Sequence, residues 1–228
     1  MFESHREARA GAGAEAEAEA RAEVEAGSES ESRPSLTIVE PAHAPSAVRA
    51  EAAVAELLTA LGKDTMSEHL ADTPRRVAAS LLEMLTPREF SMTTFPNDEG
   101  YEELVLVRDI PFHSLCEHHL LPFRGVAHVG YVPGDRLVGL SKLARVVEHF
   151  ARDLQVQERL TQQICTHLMT ELAPRGVGVV LEAEHLCMTM RGAQAAGSTT
   201  TTTAFTGILA HDNTLRRQFQ AAGAGQLA

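Results

Sequence analysis

Apolar positions recur along this chain with two different periods, and the change from one to the other divides it. Val48, Val54, Leu57, Leu58 and Leu61 have the spacing of one helical face over Ala47–Leu61, and Gly62 supplies the stop. Asp72-Thr73-Pro74 reads as a capping residue with a proline in the first turn. Val77, Leu81 and Leu85 then mark a second apolar face, which Pro87 ends, and Pro96 to Gly100 is a polar loop. From Glu102 the period becomes two: Leu104, Leu106 and Ile110 predict one strand and Arg124 to Val132 another. Pro133-Gly134-Asp135 is a turn before Leu137 to Leu140. Ser141 is placed to cap a helix whose buried face carries Leu143, Val146, Val147 and Phe150. A further helix is expected from about Val156 to Leu172, with Leu160, Ile164 and Leu168 inward and Pro174 and Gly176 closing it. Val177 to Met190 and Thr199 to Leu209 predict two more strands, and Asp212 to Phe219 a short terminal helix. Helices grouped with antiparallel strands, rather than alternating with parallel ones, indicate an α+β fold.

Composition changes this picture mainly at the N-terminus. Residues 1–45 are Ala, Glu, Gly and Ser with a few Arg, and Ala14 to Ala20 alternates Glu with Ala. Such a segment buries too little apolar surface to offset its ordering entropy, so a disordered acidic tail is expected there. The organisation that follows is a tail over 1–45, a helical region over 46–100 and an α+β core over 101–228. The net charge of −11 argues against general binding to nucleic-acid phosphates. No run approaches the roughly 20 apolar residues of a membrane span, and Met1 to His5 lacks the layout of a secretory signal. Three cysteines make no disulfide framework and favour a reducing compartment, so a cytoplasmic protein is expected.

The candidate chemistry begins in Leu115-Cys116-Glu117-His118-His119-Leu120-Leu121-Pro122, which sets a thiol and two imidazoles within one turn of backbone. Cys and His three apart can close on one Zn²⁺, which selects Cys116 and His119. Cys187, in Glu184-His185-Leu186-Cys187, is the best third ligand. Cys, His and Cys with a fourth position open is the ligand count of a catalytic zinc, although a site that only staples the fold uses the same residue types. Read as a strand, 185–191 would align His185, Cys187, Thr189 and Arg191 on one face. His118 and His185 then remain as proton carriers, since the unperturbed imidazole pKa is about 6.5. Zinc lowers the pKa of bound water from about 15.7 to about 7, which suits attack on an electrophilic carbon. An anionic ligand of so acidic a chain needs a local basic cluster. Lys142 and Arg145, three apart near a predicted helix N-terminus, could supply it with Arg191. Gln157 and Glu158 at the next helix start could read the donor edge of a guanine-like base. Cys165 lies mid-helix beside Ile164 and reads as core.

Taken together these residues resemble GTP cyclohydrolase I, from about Leu57 to Phe219. The resemblance is densest in Ser114 to His119, Gly139-Leu140-Ser141-Lys142-Leu143-Ala144-Arg145, Gln155-Val156-Gln157-Glu158-Arg159-Leu160-Thr161 and His185 to Gly192, with Asp72-Thr73-Pro74 and Arg76 similar to the family's N-terminal signature. It implies zinc on Cys116, His119 and Cys187, and proton transfer by His118 and His185. It implies that Glu158, with Gln157, holds the guanine edge, that Ser141 lies in the same pocket, and that Lys142, Arg145, Arg191 and Arg76 clamp the triphosphate. The implied reaction hydrates the guanine C8, opens the imidazole ring, releases formate and closes 7,8-dihydroneopterin triphosphate, the first step of tetrahydrofolate and pterin biosynthesis. The implied fold is the tunnelling fold, an antiparallel sheet backed by two helices, with an N-terminal helical extension. The implied assembly is a homodecamer, a ten-membered double ring with active sites between subunits. The chain departs from the family pattern in its uniform Thr199 to Thr203 run, in Gly192-Ala193-Gln194, and at Ala79, where some members carry a phosphate-binding lysine. A hydrolase of another purine or pterin on the same fold remains the alternative that Glu158 distinguishes.

Overall fold

The computed structural model describes residues 44–223, so the tail expected over 1–45 lies almost wholly outside the described residues. Two helices come first, α1 (Ala47–Ala60) and α2 (Thr73–Leu85). The Ser46 hydroxyl accepts from Arg49 N–H at the start of α1, and Gly62, at φ +71°, turns the chain away after its end. Asp72 makes no side-chain cap; its carboxylate instead accepts from Arg75 and Arg76. Pro74 and Ala78 are the buried residues of α2, while α1 has none.

The strands are β1 (Thr94–Pro96), β2 (Val105–Cys116), β3 (Pro122–Val132) and β4 (Arg136–Val138). After α3 (Leu140–Ala151), β5 (Leu154–Gln155) and α4 (Gln157–Leu172) come β6 (Gly176–His185), a one-turn helix α5 (Leu186–Thr189) and β7 (Thr200–Gly207). The short helix α6 (Ile208–His211) and α7 (Asn213–Gly223) end the described chain. Five strands form one sheet in the order β5-β2-β3-β6-β7, and β1 pairs with β4 in a small separate ribbon. The large sheet is antiparallel except for the two-residue β2–β5 pair, which is parallel.

Side chains two apart share a face, and here the odd-numbered ones make the core. Phe123, Ala127, Val129 and Tyr131 of β3 and Val177, Val179 and Leu181 of β6 pack with Leu143, Val146 and Val147 of α3 and with Leu160, Ile164 and Leu168 of α4. Cys165 is buried in that cluster, as its mid-helix position predicts. On the opposite face Phe219 of α7 is fully buried against Gly130 and Gly178. A Cβ added at those glycines would meet its ring at 3.0 and 2.8 Å, so the side-chain-free positions are what let α7 seat.

Three expectations are corrected. Gly139, not Ser141, stands at the N-cap of α3, with no side-chain cap bond, because the helix already starts at Leu140 and Ser141 is within its first turn. Phe150 is only partly buried, at the edge of the core. The strand expected to reach Met190 stops at His185, where the chain coils into α5. Among the described residues, no helix is long and apolar enough to cross a membrane.

Candidate metal centre

Sheet register brings the chemistry to one end. Antiparallel pairing sets Leu115 of β2 opposite Pro122 of β3, and Phe123 of β3 opposite His185 of β6. The turn after β2 and the turn of helix after β6 therefore meet above the same strand end. The β2–β3 turn is tight: Cys116 C=O accepts from His119 N–H (3.3 Å) and Leu120 N–H (2.8 Å), while Cys116 N–H donates to Leu121 C=O (2.9 Å). Leu120 sits at φ +54°, a conformation that non-glycine residues hold only where neighbours impose it.

Cys116 Sγ lies 4.0 Å from Cys187 Sγ and 3.9 Å from His119 Nδ1, and donor atoms of all three residues fall within 4.8 Å of one another. Zinc bonds of about 2.3 Å to sulfur and 2.0–2.1 Å to nitrogen put adjacent tetrahedral donors roughly 3.5–3.8 Å apart. The Cys116–Cys187 and Cys116–His119 pairs are thus within a few tenths of an ångström of that spacing, and the three residue types fit a metal ion. Cys116 is buried, Cys187 half-buried and His119 exposed, so the set has one open side. Burial, then the Cys116 thiol beside it, raises the Cys187 pKa, with Arg191 pulling it down. A divalent cation would reverse that balance and take both sulfurs as thiolates.

The other predicted residues divide into two groups. His185 stacks on Phe123 with parallel rings 4.7 Å apart, and its Nε2 is 2.7 Å from Gln157 Oε1. Both hydrogens of the Gln157 amide are committed, to Leu181 C=O (3.0 Å) and Thr200 C=O (2.9 Å). Its oxygen can only accept, so His185 Nε2 carries a hydrogen and Nδ1 is the free nitrogen. Gln157, expected beside Glu158 on the guanine edge, is 1% exposed, and its amide is hydrogen-bonded within the protein, where its oxygen meets His185. Burial lowers the His185 pKa, and the Glu158 carboxylate, exposed at the start of α4, opposes that shift. His118 is exposed, with Nδ1 3.8 Å from Cys116 Sγ and Nε2 3.8 Å from Glu117.

Ser141, Lys142, Arg145 and Arg76 make no hydrogen bond or ion pair with this cluster. The first three lie on α3, and Arg145 lines an open groove of about 900 Å³ with Arg124, Arg152, Glu148 and Glu184. None of the three metal-donor residues lines that groove. Arg76 is on α2, 3.2 Å from Asp72. Arg191 follows α5 rather than continuing a strand, yet it stays close enough to Cys187 to lower the thiol's pKa. Phe123, Glu117 and Arg159 were not singled out from sequence for the site. The stack of Phe123 on His185 depends on the β3–β6 register, and the Arg159–Glu117 ion pair joins residues far apart in the chain.

A family model described as GTP cyclohydrolase I matches residues 50–223. The chain is 55% identical over 177 residues to the GTP cyclohydrolase 1 of Mycolicibacterium gilvum, covering 75% of this chain and 87% of that protein. It is 56% identical over 167 residues to that of Mycobacterium tuberculosis (70% and 82%) and 52% identical over 172 residues to that of a Synechococcus species (74% and 75%).

Proposed function

The chain belongs to the GTP cyclohydrolase I family, and on that footing we propose that it converts GTP and water to 7,8-dihydroneopterin triphosphate and formate. One observation carries the residue assignments: the Cys116, His119 and Cys187 donors converge beside a histidine whose ring is stacked, hydrogen-bonded and under the influence of Glu158.

In this reading Cys116, His119 and Cys187 hold Zn²⁺, which supplies Lewis acidity and an activated water at neutral pH. His185 is kept neutral by burial, and its free Nδ1 accepts and returns protons as the guanine imidazole ring is hydrated and opened. His118, exposed and held near Glu117, is the second proton carrier. Glu158 accepts the two N–H groups of the guanine edge, a charge-assisted pairing that another purine lacking those donors would not satisfy. Arg191 beside Cys187 meets the triphosphate, together with Lys142, Arg145, Ser141 and Arg76. Because those four are not drawn to the cluster within one chain, they complete it from neighbouring subunits in a homodecamer of tunnelling-fold protomers. Residues 46–100 would then be a helical extension and 101–228 the catalytic core of a cytoplasmic enzyme.

The test is the fluorescent pterin that GTP yields after oxidation. The zinc-loaded protein should form it, and Glu158→Ala should raise KM for GTP by roughly 10–100-fold, the worth of a hydrogen bond to a charged group. A Glu158→Ala protein with unchanged KM would remove the guanine assignment.

A further inference from the structure

Two residues in the sequence motifs have no part in the reaction above. Glu117 stands between Cys116 and the two histidines, and Arg159 follows Glu158 at the start of α4. The structure joins them: Arg159 Nη2 donates to Glu117 Oε2. The turn that supplies two of the three metal donors needs such a tie. Residues 117–120 are exposed, and Leu120 is held in a conformation that its own side chain disfavours. Glu117 provides the turn's side-chain link to another element, and its backbone N–H donates to Gln155 C=O at 3.1 Å.

Arg159 is itself held rigidly enough to act as an anchor. Its Nε donates to Gln155 Oε1 (3.0 Å), and Nη2 also donates to Leu154 C=O (2.7 Å). Gln155 is buried, and its amide reaches Phe150 C=O (2.9 Å) and Gln163 Oε1 (2.8 Å). Leu154 and Gln155 form β5, which pairs with Leu115 and Cys116. The guanidinium is therefore fixed by the strand that also fixes the first metal donor. The two carboxylate oxygens of Glu117 are divided, Oε2 on Arg159 and Oε1 3.8 Å from His118 Nε2. Both side chains are about a third exposed (34% and 33%), so solvent partly screens the pair.

We propose that Arg159 is a positioning residue for the metal site: by gripping Glu117 it sets the Cys116–His119 turn at closing distance from Cys187. The inference rests on the metal reading of Cys116, His119 and Cys187 given above. Outer partners of metal ligands typically control affinity by 10–100-fold, and here the grip acts through the backbone of the turn rather than through a ligand ring.

The experiment uses the full chain as wild type, Arg159→Ala, Arg159→Lys, Glu117→Gln and the Arg159→Ala/Glu117→Gln double variant, with Cys187→Ala as control. Zinc affinity is read by competition with a chromophoric chelator, ligand geometry by the visible spectrum after Co²⁺ substitution, and folding of the metal-free proteins by circular dichroism. Arg159→Ala and Glu117→Gln should each weaken zinc by roughly 10–100-fold, with Arg159→Lys between them and wild type. The double variant should be no worse than the weaker single, and the Co²⁺ bands should shift. Zinc affinity within about twofold of wild type in Arg159→Ala, with unshifted Co²⁺ bands, overturns the proposal. Should Arg159→Ala fail to fold, the near-isosteric Glu117→Gln decides by the same two readouts. Wild type that binds no more zinc than Cys187→Ala would defeat the metal reading itself, and the proposal with it.

Discussion

His185 shows how far the residues packed around a candidate proton carrier set its behaviour. Its ring lies flat on Phe123, and its Nε2–H is fixed by Gln157, whose amide hydrogens are already given to two strand carbonyls. Replacing Gln157 with Ala leaves Leu181 C=O and Thr200 C=O without that donor and frees the imidazole. A loss of about 1–3 kcal/mol in unfolding free energy is expected, with kcat falling far more than KM if, as proposed, Glu158 reads the substrate edge. Chemical denaturation and steady-state kinetics check both. At this scale the Cys-x-x-His spacing picks His119, and the structure brings donor atoms of Cys116, His119 and Cys187 within 4.8 Å of one another. The internal contacts of Gln157 were not legible, because a polar residue at a helix start gives no sign of the strand carbonyls that its amide meets.

The elements were legible where the apolar period persisted, and least so where it broke. β6 ends where its register with Phe123 runs out, and α5 then aims Cys187 at Cys116, which a continued strand would not do. Nothing in Leu186-Cys187-Met188-Thr189 marks that change, because four residues are too few for a helical period to show. The pairing of α3 with α4 hides a second titratable feature. His167 of α4 packs near Phe90, Phe150 and His149, and its Nε2 is buried without a hydrogen-bond partner. Burial lowers its pKa, Glu171 raises it and His149 lowers it further. The folded protein thus takes up this proton less readily than the unfolded chain, so the contribution of His167 to stability is present above about pH 6.5 and is lost as the pH falls below it. Thermal melts between pH 7.5 and 5 should show His167→Gln losing less stability on acidification than wild type. Equal losses would assign the acid sensitivity to other groups.

For the molecule as a whole, the α+β class follows from the grouping of predicted elements, and the mainly antiparallel five-stranded sheet carries it. What a single chain cannot bury is equally informative. Val48, Leu57 and Leu61 of the N-terminal helix region are 79%, 56% and 63% exposed, although their helical spacing reads as a core face. Apolar side chains in that arrangement are expected to be covered by other copies. For the proposed homodecamer, light scattering at micromolar protein should give the mass of a ten-membered assembly, and a stable monomer would contradict the between-subunit placement of Lys142, Arg145 and Ser141.

In the proposed reaction the metal cluster and His185 do separate work. Zinc content and formate release from GTP, measured on the same samples of wild type and His185→Ala, address this directly. About one zinc per chain is expected in both, with formate released by wild type and reduced by roughly 100-fold or more in the variant, the usual weight of a proton-transfer group. Zinc-loaded wild type that releases no formate, or a variant that matches it, would contradict the account.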